Sequence, residues 1–176
     1  PTLTHALQPG SPAIDAGAGN LPNAWQIADV TSALNSGGIA YFNTLTDAQR
    51  KAATNAGWHY TVVSRLVNGS GGVGPAQFMV YGNGVRRFAL AWDLNASGQL
   101  TAAMGATVTN LTDPGTAATN YHRHELIYDA ATAQGTYLFD GTPIRTWAGE
   151  VLNAQNGIVQ WGGISSLGMG RMNYHH

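Results

Sequence analysis

A succession of short runs in which apolar and polar residues alternate constrains this chain more than any other feature. The runs are Ile39–Thr44, Trp58–Val67, Ala76–Tyr81, Val85–Asp93, Leu100–Met104, Thr107–Leu111, Tyr121–Tyr128, Thr136–Phe139, Ile158–Trp161 and one beginning near Met172. Neighbouring side chains of a strand point to opposite faces, so each run offers one apolar face that only a second layer can cover. The residues between runs are hairpin formers. Gly82-Asn83-Gly84 permits positive φ, Asp93–Gly98 joins the next pair, and Asp140-Gly141 follows Leu138 and Phe139. Consecutive hairpins imply antiparallel pairing, and the absence of a fixed repeat in 24–176 argues against a solenoid or propeller. The chain is expected to be all-β, a two-sheet antiparallel sandwich. One helix interrupts it: Thr46 with Gln49 forms a capping box, Asp47 sits in the first turn and Gly57 stops the run, which predicts Thr46–Ala56.

Composition narrows the function classes. At 176 residues and 44% hydrophobic, the chain can fill one core, and residues 24–176 are read as one domain. Only 10% of residues are charged and 23 are glycine, leaving amides and hydroxyls to make the surface, as in extracellular β-proteins. A net charge of -1 lacks the basic footprint of a nucleic-acid binder. No apolar run is long enough to span a membrane. Zero cysteines exclude disulfides, thiolate metal sites and a cysteine nucleophile. The start at Pro1 reads as a fragment or a processed product, and His175-His176 as either native residues or the start of a tag. The sequons at Asn68, Asn95 and Asn110 matter only in a secreted eukaryotic chain.

Alternation also sorts the polar residues. Tyr121, Arg123, Glu125 and Ile127 share one side of their run, and His122, His124, Leu126 and Tyr128 share the other, which Leu126 and Tyr128 mark as core. The same sorting sends Phe88, Leu90 and Trp92 inward and Arg87 outward. In the run from Trp58 it leaves His59, Thr61 and Arg65 outward. If these strands share a sheet, then His59, Arg65, Arg87, Arg123 and Glu125 lie on one exposed face. Arginine forks suit carboxylates and sulfates, so the expected ligand is a glycan, an acidic polysaccharide above all, with Tyr121 as a stacking platform. The plain alternative is a solvated sheet face on which Arg123 and Glu125 pair with cross-strand neighbours.

Other chemistry finds less support. Asp93, Asn95 and Ser97 match the start of a calcium loop, but Met104 stands where a bidentate glutamate belongs, and a hairpin loop uses the same residues. Apart from calcium, no cofactor is expected. His122 and His124 point to one side without a carboxylate at zinc-ligand spacing. There is no G-x-S-x-G, and Gly69–Gly74 is followed by no phosphate-binding helix.

The segment from Asn120, NYHRHELIYDAATAQGTYLFDGTPI, resembles the central hairpin of concanavalin A-like, laminin-G-like jelly-roll domains. Asn120, His122, Leu126, Tyr128, Asp129, Thr136, Asp140 and Gly141 fall on that pattern, while Tyr121 replaces a tryptophan. FNTLTDAQRKAATNAGWHYTVVSRLV and WGGISSLGMGRMNYHH resemble flanking segments of bacterial members. LQPGSPAIDAG, at 7–17, resembles the segment that closes parallel β-helices in bacterial surface proteins, so 1–23 is read as a linker or the tail of such a domain. The resemblance implies a secreted or cell-surface bacterial module that recognises glycans or proteins, sometimes with calcium. β-Glucan hydrolases of this fold carry E-x-D-x-E, and neither Glu125 nor Glu150 has an acidic residue two positions away. Arg123-His124-Glu125-Leu126 resembles the R-x-E-L motif of jelly-roll alginate lyases, whose other motifs are missing. The expectation is a non-catalytic recognition or adhesion module that binds carbohydrate. The alternatives are a protein–protein assembly module and a polysaccharide lyase.

Overall fold

A computed structural model describes residues 24–29, 40–69, 77–83, 86–115, 120–151, 157–163 and 170–175, and these build an antiparallel two-sheet sandwich with one helix. The first sheet runs in the order β1 (Ala24–Asp29), β13 (Gly170–His175), β3 (Trp58–Asn68), β8 (His122–Asp129), β9 (Gln134–Phe139), β10 (Thr142–Trp147). The second runs β2 (Ala40–Thr44), β12 (Ile158–Gly162), β4 (Gln77–Gly82), β5 (Arg86–Leu94), β6 (Leu100–Met104), β7 (Thr107–Asn110), with β11 (Glu150–Val151) added to one end of β5. The expected runs are strands with ends shifted by a residue or two; β1, β10 and β11 lie outside them. The proline-rich 1–23, including the β-helix-like stretch, lies outside the described residues.

The large apolar side chains that alternation assigns to the core turn inward, although neighbours such as Ala91, Thr101 and Glu125 are buried as well. Leu66, His124, Leu126, Tyr137 and Met172 of the first sheet meet Met79, Phe88, Leu90, Trp92 and Leu100 of the second, all buried. Each such apolar side chain contributes about 1.5–3 kcal/mol of transfer free energy. At one end Trp58 stacks on Tyr128 at 5.7 Å and Phe88 meets Trp147 edge-on at 5.4 Å. Gly135 in β9 makes that contact fit, because a Cβ there would lie 2.5 Å from Phe88 Cε1.

Helix α1 (Asp47–Ala56) forms where its signals stand. Gln49 N donates to Thr46 Oγ1 at 3.3 Å, and Thr46 N donates to Gln49 Oε1 at 2.9 Å. Gly57, at φ 81°, ends it. The helix covers one end of the sandwich, with Ala53 buried and Thr54 Oγ1 donating to Asn83 O at 3.4 Å. The β9–β10 hairpin turns on Asp140 (φ 48°) and Gly141 (φ 80°), the positive pair that a two-residue turn of this hand requires. Pro143 is tolerated in β10 because that strand is an edge. At the opposite edge β1 pairs with β13 from Ala24 opposite His175 to Asp29 opposite Gly170.

Candidate functional site

The outer face of the first sheet is laid out by its registers. Thr61 lies opposite Glu125 and Val63 opposite Arg123; on the other flank of β3, Arg65 lies opposite Asn173 and Val63 opposite His175. Arg65, Tyr121, Arg123 and Glu125 therefore come together as expected. Glu125 Oε2 accepts from His59 Nε2 at 2.8 Å and from Arg123 Nη2 at 2.8 Å. Although Glu125 is on the outer face, these two side chains cover it to 6% exposure, while Arg123 remains 54% exposed. The expectation of an open glutamate is thus corrected: Glu125 is an anchor beneath an arginine and a histidine. The Arg65 guanidinium carbon lies 5.3 Å from the centre of the Tyr121 ring, and His175 meets that ring edge-on at 6.5 Å. Tyr121 is a platform for Arg65, which takes the ring face assigned to a sugar.

Arg87 does not belong to this face. It lies on β5 of the second sheet, on the far side of the sandwich, paired to Glu150. Alternation fixed its outward direction correctly; it carries no information about which sheet a strand joins. The position that sequence reasoning missed is Arg171. It is exposed in β13, between the buried Gly170 and Met172, and so shares the outer face with Asn173 and His175. The signal is the alternation of Arg171, Asn173 and His175 around Met172 and Tyr174; a run beginning near Met172 leaves the arginine out.

The inner side of β8 holds a second polar group. His122 Nδ1 lies 2.7 Å from Asp140 Oδ2, and Arg123 N donates to Asp140 Oδ1 at 2.8 Å. Burial works to raise the Asp140 carboxyl, but the bonds from His122 and Arg123 N outweigh it and hold it below the usual range. His124, expected to be partly buried, is completely buried. Its Nδ1 bonds the Tyr137 hydroxyl at 2.8 Å, and that hydroxyl accepts from Trp92 Nε1 at 3.4 Å. Burial, aided by nearby His122 and opposed by Asp140, pushes the imidazole down to about 3. These residues tie the hairpin to the core.

The Asp93–Gly98 loop closes on itself. Leu94 N donates to Asp93 Oδ1 at 2.8 Å, and Ser97 N and Gln99 N both donate to Asn95 Oδ1 at 3.0 Å. The oxygens of Asp93 and Asn95 that suggested calcium thus make turn bonds, and Ser97 is exposed beside them. Among the described residues, no group of three His, Cys, Asp or Glu side chains gathers as a metal site. No helix of the described residues is long and apolar enough to cross a membrane.

The family model described as the Vibrio cholerae sialidase, lectin insertion, matches residues 24–176. Sialidases of two Vibrio cholerae serotype O1 strains are each 31% identical over 128 residues, which is 70% of this chain and 15% of theirs. The chain thus spans 15% of the length of the curated relatives it matches. Among solved structures, one named "Sialidase" superposes with a TM-score of 0.48 at 10% identity, covering 86% of this chain and 14% of its own. A Bacillus licheniformis β-glucanase gives 0.41 at 13% identity over 68% of this chain and 65% of its own. The Ruminococcus gnavus IT-sialidase CBM40 gives 0.39 at 15% identity over 85% and 90%.

Proposed function

Because the chain belongs to the family of the Vibrio cholerae sialidase lectin insertion and is a carbohydrate-binding β-sandwich, we propose that it is a non-catalytic module for acidic glycans, sialylated ones first. The outer face of the first sheet is the binding face in this reading. The observation that carries it is Arg123: one nitrogen is held by Glu125 at 2.8 Å, and the side chain is still 54% exposed. An arginine fixed at one corner and open at the rest is pre-set for a sugar carboxylate, because less side-chain freedom is lost on binding. The name of the relatives supports a sialylated ligand, and the low-charge, amide-rich surface supports an exported bacterial protein. A non-catalytic role is supported by the family match, which is to a lectin insertion, and a glucanase-like glutamate pair finds no support in Glu125 and Glu150, which belong to opposite sheets.

The test is calorimetric titration with sialyllactose. Replacing Arg123 with Ala should weaken binding by about 1.5–3 kcal/mol, the range for a bond to a charged group. Salt should weaken binding through screening over ~8–10 Å. Arg87→Ala should leave binding unchanged. Full binding by Arg123→Ala, or loss of binding in Arg87→Ala, would move the site off this face.

A further inference from the structure

We propose that the same face carries a track for an extended polyanionic glycan, marked by Arg171, Arg65 and Arg123. This rests on the reading of that face as the glycan site and adds the class of ligand. The three arginines occupy adjacent strands β13, β3 and β8. In the register of β3, Arg171 stands level with Asn68 and Arg123 level with Val63, with Arg65 between them. They therefore form a diagonal. With strands ~4.8 Å apart and ~3.3 Å per residue, its end Cα atoms are roughly 16–19 Å apart. No single carboxylate reaches both ends. A chain bearing an acid on successive sugars does.

The charges along the diagonal favour such a chain. Glu125 is covered by His59 and Arg123, and Asp140 is engaged by His122 and the Arg123 amide. Among the described residues Arg171 is exposed and pairs with no carboxylate. Three arginines against Glu125 and Asp140 leave a local positive excess on a chain whose net charge is -1. Two of the three are positioned beforehand, Arg65 by the Tyr121 ring and Arg123 by Glu125. Arg171 then extends the reach of the site and sets preference for polymer over a terminal sugar.

The experiment titrates the full chain with sialyllactose, with α2,8-linked oligosialic acids of increasing length and with oligogalacturonates. Affinity should rise about ten-fold from short to long oligomers as successive acids engage linked subsites. The dependence of log K on log salt should steepen with length, as each added acid brings a further screened ion contact. Arg171→Ala should weaken the long oligomers about five- to ten-fold and leave sialyllactose unchanged, as expected for a distant charge contact. Length-independent affinity, or an Arg171→Ala variant that binds long oligomers normally, overturns the track. If sialyllactose still binds through Arg123 in that case, the glycan reading survives alone. Failure of every acidic glycan to bind removes both, and tighter binding of double-stranded DNA than of any oligosaccharide would make the track a nucleic-acid contact and overturn the proposal. A preference for one of the two oligomer series names the acid, since both present repeated carboxylates.

Discussion

Acid should unfold this domain partly through one histidine. His124 is completely buried, its Nδ1 is bonded to Tyr137, and its Nε2 has no partner among the described residues. Protonation would give both nitrogens a proton and place a charge beside Trp92 and Phe139, with one N–H unpaired. The imidazole sits at about 3 when folded, against 6.5 when free. A histidine depressed by folding contributes fully above the free value, and its contribution is lost as pH falls from there toward the folded value. Within that window each pH unit costs about 1.4 kcal/mol. At about pH 5 the loss is therefore about 2 kcal/mol relative to about pH 8. Asp140 acts lower on the scale: its depressed carboxyl contributes above the free value of 3.8 and fails only as pH falls below it. Urea unfolding of the wild type and of His124→Phe at the two pH values isolates the term. The variant loses the Tyr137 bond, about 1 kcal/mol at neutral pH, and should show a pH dependence flatter by the predicted 2 kcal/mol or so. Equal pH dependence in the two proteins would refute the argument and assign the acid sensitivity to other groups.

Two stability predictions follow from local geometry. Gly135→Ala drives a methyl group against Phe88 and should cost about 1–3 kcal/mol in chemical denaturation. Thr46→Ala removes the oxygen that accepts from Gln49 N and should cost about 1 kcal/mol, with Thr46→Ser restoring most of it.

What the sequence disclosed follows from how local each signal is. The capping box needs only Thr46 and Gln49, and the Asp140-Gly141 turn needs only two residues able to adopt positive φ, so both were legible. Alternation is equally local, and it placed Phe88, Trp92, His124 and Leu126 inward. Strand partnership is not local. Arg87 and Arg123 both point outward, yet their strands join opposite sheets, because that choice depends on loops and on the packing of Phe88 against Tyr128 and Trp147. β10 was hidden by Pro143, which reads as a breaker unless the strand is known to be an edge. β1 was obscured by the proline-rich stretch before it. Arg171 was lost with the start of β13, and the distribution of charge over the face changed accordingly.

The pairing of β1 with β13 has a consequence for the order in which the sandwich can assemble. Ala24 and His175 stand opposite one another, about 5 Å apart in Cα terms, although nearly all of the described chain lies between them. Closing a loop of that span costs more chain entropy than closing any of the hairpins, so this ladder is favoured only once β3 has taken up the other side of β13.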